Sequence, residues 1–173
     1  MKWVGITGSW RATSAEVEKD VRDAVREVIG RGDGIVTGGA LNVDWFATDE
    51  ALKLNPDATR IKVCLPAALE RYATHYRRRA AEGVITPEQA EGLIAQLTAL
   101  QHANPEALIE HPTNAILDIA AYYERNTKVV ELSDELLAFQ VNDSLGVQDT
   151  VDKARALSKP VDIKKYSIDT PAA

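Results

Sequence analysis

Gly5-Ile6-Thr7-Gly8-Ser9 and Gly34-Ile35-Val36-Thr37-Gly38-Gly39-Ala40-Leu41-Asn42-Val43-Asp44 are the two stretches that decide the fold of this chain. In each, a short β-branched run leads into glycines and then into a segment with helical periodicity. Such a strand-to-helix turn directs backbone N–H groups and the positive end of a helix toward one point in space. Each turn is therefore a candidate phosphate-binding site.

The composition of the chain favours one globular domain. Its 173 residues, 45% of them hydrophobic, suffice for one sizeable core. The net charge of −6 gives an overall field that repels polyanions, so binding of nucleic acid would require a local basic patch. We expect a single domain over residues 1–168 and a frayed tail at 169–173.

Cysteine and histidine positions argue against disulfides and metal sites. Cys64 is the single cysteine, and His75, His102 and His111 lack the spacing of metal ligands. We also expect neither a signal peptide nor a membrane span, since the first residues lack the apolar stretch of a signal peptide and no run approaches about 18 consecutive apolar residues. We therefore expect a cytoplasmic protein without a metal, a cofactor or a membrane contact.

Strand and helix patterns alternate along most of the chain. Apolar, β-branched runs predict strands at residues 2–7, 34–37, 60–65, 135–141 and 161–164. Helical periodicity predicts helices between them, the first opened by a capping box at Thr13–Glu16 and others over about 43–54, 114–130 and 147–157. This alternation predicts an α/β fold, a Rossmann-like doubly wound parallel sheet of about five strands.

An inserted helical hairpin, at about residues 68–103, interrupts the alternation. Two helical segments, 68–82 and 87–101, follow each other directly, and Thr86–Gln89 combines an N-cap, a proline at N1 and a capping-box glutamine. The second segment carries an apolar seam formed by Leu93, Ile94, Leu97 and Leu100. The seam packs either on the first segment or on another subunit, so a homodimer is one of two expectations.

Three of the predicted strands end in a glycine-containing turn. Ligands of doubly wound sheets bind outside the carboxyl ends of the strands, so we expect these turns to form one site. The amides of Gly8 and Ser9 are candidate phosphate donors with Arg11 as a counter-charge, although the turn lacks the G-x-G-x-x-G spacing. A tight turn with a solvent-facing arginine is the alternative.

The other two turns offer similar chemistry. Gly38-Gly39 permits positive φ and close approach of a ligand, while Asp44 either caps the following helix or holds ribose hydroxyls. The segment from Ser144 to Thr150 again offers amides and hydroxyls at a helix start, but an ordinary surface turn has the same composition.

The only basic run is Arg77-Arg78-Arg79, on the first helix of the hairpin. Together with Arg71 and His75 it favours a solvated helix face over a nucleic-acid patch. Tyr72 and Tyr76, four residues apart, are predicted to pack inward and not to stack on bases.

Four segments, taken together, carry a family pattern. Gly5–Trp10 is similar to an opening G-S-R turn, with Trp10 in place of the arginine. Residues 38–52 are similar to S-G-x-A-x-G-I-D-x-x-A-H-x-x-A-L, with Asn42 and Thr48 replacing a glycine and the histidine. Residues 124–134 are similar to R-N-R-I-I-A-G-L-S-D, and residues 145–161 to S-G-T-L-N-T-A-R-x-A followed by a final strand. The chain thus resembles the SLOG superfamily, which includes DprA (Smf) and the LOG-type nucleotide phosphoribohydrolases, and it is most similar to the DprA-like branch.

The resemblance covers most of the chain outside the hairpin and implies a Rossmann-like fold that binds nucleotides. LOG-type hydrolases use a glutamate of a G-G-x-G-T-x-x-E loop, and Thr150 stands in its place. Because a threonine cannot offset the positive charge of a glycosidic transition state, the sequence leaves open whether the chain is an enzyme. The resemblance adds Arg125 and Asn126 to the expected ligand-binding residues, which are Gly8, Ser9, Trp10, Arg11, Gly38, Gly39, Ala40, Asp44, Arg125, Asn126, Ser144, Gly146 and Thr150.

The expected function is binding of a nucleotide or nucleotide derivative by its phosphate. Two alternatives remain open. One is N-glycosidic hydrolysis or transfer, with Asp44 or another carboxylate as the catalytic group. The other is a DprA-like recombination accessory that binds single-stranded DNA through Arg71 and Arg77–Arg79, which the net charge of −6 disfavours.

Overall fold

Six parallel strands form one sheet in the computed structural model, which describes residues 1–169. The strands are β1 (Trp3–Gly8), β2 (Gly34–Thr37), β3 (Ile61–Cys64), β4 (Leu108–Ile109), β5 (Glu135–Val141) and β6 (Val161–Tyr166). Their order is β4-β3-β2-β1-β5-β6, so the direction of chain progression reverses between β1 and β5. The predicted Rossmann-like doubly wound sheet is confirmed. Of the predicted tail, residues 170–173 lie outside the described residues.

The strand count is a correction, since about five strands were predicted. The additional strand, β4, is two residues long and follows a 3₁₀ turn at Pro105–Ala107. Two residues are too few to display an alternating pattern, so sequence periodicity could not reveal them.

Helices connect the strands at α1 (Ala15–Gly30), α2 (Val43–Leu54), α3 (Leu69–Ala81), α4 (Pro87–Ala103), α5 (Ile119–Leu132) and α6 (Leu145–Ala156). The N-cap of α1 is Ser14, whose hydroxyl accepts a hydrogen bond from the Val17 amide at 3.2 Å, so the cap lies one residue beyond the predicted Thr13. The predicted start of α5 near residue 114 was also wrong, because Asp118 caps that helix. None of the helices in the described part of the chain combines the length and apolar character that crossing a bilayer requires.

The sheet separates two apolar layers. On one face, α1, α2 and the hairpin cover Ile35 of β2 and Phe139 of β5. On the other, α5 and α6 cover Val36 and Ala138. Neighbouring strand residues point to opposite faces, which is why these strands read as continuous apolar runs.

The predicted hairpin is formed by α3 and α4 and packs within the chain. Leu93, Leu97 and Leu100 of the predicted seam are buried in the main core. The side chain of Gln96 donates to the carbonyl oxygen of Trp45 at 3.0 Å, which ties α4 to α2. The seam is thus covered by the chain itself. The capping box at Thr86–Gln89 and the inward packing of Tyr72 and Tyr76 are confirmed.

Candidate functional site

The carboxyl ends of β1, β2 and β5 open into one cavity of about 1060 Å³. It lies where the strand order reverses, which is the usual ligand position in this architecture. The three predicted turns meet there. Of the thirteen residues expected to bind ligand, only Gly39 does not line the cavity; the twelve that do are Gly8, Ser9, Trp10, Arg11, Gly38, Ala40, Asp44, Arg125, Asn126, Ser144, Gly146 and Thr150.

The first turn is built tightly into the sheet. A β-carbon on Gly8 would overlap the side chain of Val43, so the glycine allows α2 to approach β1. The Ser9 amide donates to the Phe139 carbonyl oxygen at 3.3 Å, and the Ser9 hydroxyl accepts from the Val141 amide at 2.9 Å. The amide and hydroxyl of Ser9 therefore form hydrogen bonds with β5 and are not free to bind a phosphate as predicted.

Arg11 lies at the rim of the cavity. Its side chain is exposed, and the guanidinium carbon stands 4.9 Å from the centre of the Trp10 ring, a cation–π distance. The Trp10 carbonyl oxygen accepts a hydrogen bond from the Asn42 side chain, which fixes the turn. Trp10, in the position where the resemblance has an arginine, thus supports the arginine that follows it.

The glycines of the second turn serve packing. Gly39 has the predicted positive φ, 65°, and a β-carbon there would lie 2.6 Å from Leu65, on the core side. Its carbonyl oxygen accepts from the Tyr72 hydroxyl at 2.8 Å, which joins the hairpin to the turn. Asn42 replaces a glycine of the family pattern and adopts a positive φ of 62°, a sign of φ that asparagine adopts more often than most residues.

The side chains of Asp44 and Arg125 both form hydrogen bonds with the backbone of the second turn. Asp44 is 5% exposed, and its carboxylate accepts a hydrogen bond from the Ala40 amide at 3.1 Å. The Arg125 guanidinium donates to the Gly38 carbonyl oxygen. Burial raises the pKa of Asp44, and the Arg125 charge and the Ala40 amide offset this only in part. Asn42, and not Asp44, is the N-cap of α2, so the carboxylate stabilises the turn that precedes the helix.

The N-terminus of α6 lies at the cavity. Within the described chain, the side chain of its N-cap, Ser144, makes no capping hydrogen bond. The first turn, Leu145-Gly146-Val147-Gln148, is uncharged, and a β-carbon on Gly146 would meet no atom within 4 Å. The Gln148 amide donates to the Ser144 carbonyl oxygen at 3.0 Å. Among the described residues, the amides of Leu145, Gly146 and Val147 have no backbone acceptor, and the positive end of the helix dipole lies beside them.

Thr150 and Asn126 stand behind this helix start. The Thr150 hydroxyl donates to the Gly146 carbonyl oxygen at 3.1 Å, within its own helix, and the residue is 1% exposed. The Asn126 side chain donates to the Asp149 carboxylate at 3.1 Å. Thr150, which the resemblance aligns with the glutamate of LOG-type hydrolases, is uncharged, and its hydroxyl is engaged by a backbone carbonyl oxygen.

The hairpin supplies a wall of the cavity that sequence analysis assigned to solvent. His75, Tyr76, Arg78 and Arg79 of α3 line the cavity, with Tyr122 of α5 beside them. The rings of His75 and Tyr122 are 6.5 Å apart, centre to centre. Nothing in the spacing of α3 indicated this, because the position of an insertion over a distant strand end is a property of tertiary packing.

The charges of this wall are largely paired. Arg78 and Arg79 lie 3.9 and 3.2 Å from carboxylate oxygens of Glu82, and Arg77 lies 2.8 Å from Glu91. Among residues 1–169, no three histidine, cysteine, aspartate or glutamate side chains are grouped as metal ligands would be.

Comparisons with known proteins give matches in structure alone. No protein-family model matches the chain, and no curated protein matches its sequence. DNA processing protein A from Helicobacter pylori, studied for its binding of single-stranded DNA, superposes with a TM-score of 0.67 at 22% identity over 94% of this chain and 64% of that protein. DNA processing protein A from Streptococcus pneumoniae superposes with a TM-score of 0.52 at 14% identity, over 92% of this chain and 58% of that protein.

A third solved structure, the molybdenum cofactor binding protein of Rippkaea orientalis, gives a TM-score of 0.61 at 17% identity over 95% of this chain and 77% of that protein. The chain spans less than two thirds of either DNA processing protein. The fold predicted from the resemblance is confirmed. The chain has the Rossmann-like fold shared by DNA processing protein A and the molybdenum cofactor binding protein.

Proposed function

We propose that this chain binds a nucleotide or nucleotide derivative in the cavity at the carboxyl ends of β1, β2 and β5, with a phosphate at the N-terminus of α6. The observation that carries the proposal is the combination of an uncapped, uncharged helix start with the open space in front of Gly146. Backbone amides at such a start bind phosphate oxygens, and the helix dipole favours their charge.

Arg125 supports the same assignment. Its guanidinium lies at the floor of the cavity, between the second turn and the ring of Tyr122, 5.4 Å from the ring centre. Among the described residues, its guanidinium donates to the Gly38 carbonyl oxygen and to the Asn126 side chain and not to a carboxylate, so its charge is available to an anion. A phosphate would therefore meet one cation and the amides of one helix start.

The size and lining of the cavity favour a small molecule over a nucleic-acid strand. A volume of about 1060 Å³ is at the upper end of small-molecule sites. The three arginines of the basic run face the two carboxylates of Glu82 and Glu91, which reduces the net charge that the run offers to a polyanion. Solved neighbours of this fold include proteins named for binding single-stranded DNA and for binding a molybdenum cofactor, which supports ligand binding in general.

Isothermal titration calorimetry of two matched variants tests the proposal. Gly146→Asp places a carboxylate where the phosphate would sit, and Gly146→Asn has the same shape without the charge. Because an acidic residue in the first turn of a helix stabilises it by about 0.3–1 kcal/mol, we expect Gly146→Asp to remain folded. In a panel of 5′-mononucleotides and cyclic dinucleotides, we expect Gly146→Asp to weaken binding by at least about ten-fold relative to Gly146→Asn.

Two results would contradict the proposal. One is a wild-type chain that binds no member of the panel. The other is equal affinity of the two Gly146 variants for the nucleotides that bind.

Asp44 supports a second candidate function, cleavage of an N-glycosidic bond. It is a buried carboxyl in the cavity wall with a raised pKa, a combination that is frequent among catalytic acids. Chromatography after incubation with nucleoside monophosphates tests this candidate. Release of free base by the wild type and not by Asp44→Asn would support it, and no release from the wild type would eliminate it.

A further inference from the structure

The ring nitrogens of His75 are unequal in their surroundings. Nδ1 is buried and has no hydrogen-bond partner among the described residues, whereas the side chain as a whole is half-buried and lines the cavity. The edge that a ligand can reach is therefore the one that carries Nε2.

The surroundings of Nδ1 determine the tautomer. A buried N–H without an acceptor is rarer in proteins than a buried acceptor without a donor, so the proton belongs on Nε2. Burial, together with the charges of Arg78 and Arg79, lowers the pKa of His75, against a smaller opposite effect of Glu82. The ring is thus neutral near pH 7 and presents one N–H donor to the cavity.

Aromatic and apolar groups surround that donor. The Tyr76 ring lies 5.9 Å from the His75 ring in an edge-on arrangement, and the Tyr122 ring lies 6.5 Å away. Val84 and Ile85, from the turn between α3 and α4, also line the cavity. Such a wall suits a planar heterocycle better than an anion.

A second phosphate is less suited to this wall. Arg78 and Arg79 both lie near the carboxylate of Glu82, and all three residues are at the C-terminal end of α3, where the helix dipole is negative. Tyr122 lies between His75 and Arg125, since its ring is 6.5 Å from the His75 ring and the Arg125 guanidinium lies over it at 5.4 Å. A ligand lying on Tyr122 could therefore reach from His75 toward the proposed phosphate site.

We propose that His75 forms the base-recognition subsite of this cavity and donates from Nε2–H to an acceptor atom of a nucleobase or similar planar heterocycle lying against Tyr122 and Val84. The proposal rests on the proposed function and specifies its ligand. It also assigns a role to the inserted hairpin, which carries the residue that distinguishes one heterocycle from another.

Calorimetry with paired ligands tests this subsite. The ligands are the nucleoside monophosphate that binds the wild type and ribose 5-phosphate, which lacks the base. We expect His75→Phe, which keeps a ring and removes the donor, to weaken nucleotide binding by up to about ten-fold, the loss of one hydrogen bond. His75→Gln retains a donor and should weaken it less. His102→Phe, on the exposed surface of α4, is the control and should leave the affinity unchanged.

Ribose 5-phosphate separates this proposal from the proposed function. Its affinity should be the same in the wild type and in both His75 variants. Unchanged nucleotide affinity in His75→Phe, or an equal loss for both ligands, would overturn the base subsite while leaving the phosphate site intact. A wild type that binds neither ligand would overturn the phosphate site, and the base subsite with it.

A nitrogen NMR spectrum of the ligand-free chain provides an independent readout. Two-bond proton–nitrogen correlations distinguish the two neutral tautomers of histidine. We expect the Nε2–H form for His75 at pH 7, and observation of the Nδ1–H form would overturn the proposal.

Discussion

At the scale of single residues, Gly8 of the first turn has no room for a side chain larger than a hydrogen atom. A β-carbon there would overlap Val43, the first residue of α2. Gly39 has the same kind of role toward Leu65 and Val63. These glycines shape the cavity by letting helices and turns come close to the sheet, whereas Gly146 has open space before it.

Gly8→Ala should destabilise the chain by about 1–3 kcal/mol, the usual effect of forcing extra volume into a packed contact. Urea denaturation followed by circular dichroism measures the change. Gly146→Ala is the control, because its β-carbon meets nothing, and it should be neutral or slightly stabilising. Equal stability of Gly8→Ala and the wild type would show that α2 does not approach β1 as described.

Asp44 gives the stability of the chain a specific pH dependence. Its pKa is raised in the folded chain, so the folded state holds the proton to a higher pH than the unfolded state. The contribution of Asp44 to stability is fully present below its unfolded pKa of 3.8 and is lost as pH rises through the folded pKa.

Asp44→Asn removes this titration and keeps an oxygen that can accept from the Ala40 amide. The stability of the variant relative to the wild type should therefore increase as pH rises from about 3 to 7. Urea denaturation of both proteins at several pH values measures the difference. A difference that does not vary with pH would contradict the buried position of this carboxyl.

At the scale of elements, the hairpin depends on the seam of α4. Leu97 is 1% exposed and lies in the main core. Leu97→Ala should lower the free energy of unfolding by about 2–5 kcal/mol, as large-to-small core substitutions do. Ile94→Ala, at a half-buried position of the same seam, should cost less. Chemical denaturation compares the two, and equal small losses would show that the seam is not covered within the chain.

Most elements could be predicted because their signals are local. Capping boxes, glycine turns and apolar runs lie within a few neighbouring residues, as Thr86–Gln89 illustrates. The start of α5 was wrong because Ile116 continues the apolar periodicity upstream of Asp118, yet it is 73% exposed. Periodicity alone does not distinguish an exposed apolar residue from a buried one.

At the scale of the whole molecule, the sequence could predict that the three turns meet at one cavity. It could not predict which of their hydrogen-bonding groups are already bound to other parts of the protein. Parallel strands bring their carboxyl ends to one edge, so Gly8, Gly38 and Gly146 had to approach one another. Whether Ser9 binds ligand or protein depends on Val141, which is 132 residues away in sequence. The position of His75 likewise follows from how the hairpin folds over the strand ends.

Salt dependence distinguishes a bound nucleotide from a bound strand. A single nucleotide carries no condensed counterions, so salt acts on its phosphate only by screening, and we expect its affinity to fall by only a few-fold between about 50 and 200 mM salt. A single-stranded oligonucleotide held along many phosphates would lose far more. Titrations at several salt concentrations measure the slope, and a steep slope for the preferred ligand would favour strand binding.

A crystal structure of the chain with a bound 5′-mononucleotide tests the central claim most directly. We expect phosphate oxygens at about 2.7–3.2 Å from the amide nitrogens of Gly146 and Val147, with the base beside His75. A nucleotide bound elsewhere on the chain, with the N-terminus of α6 left empty, would contradict the account.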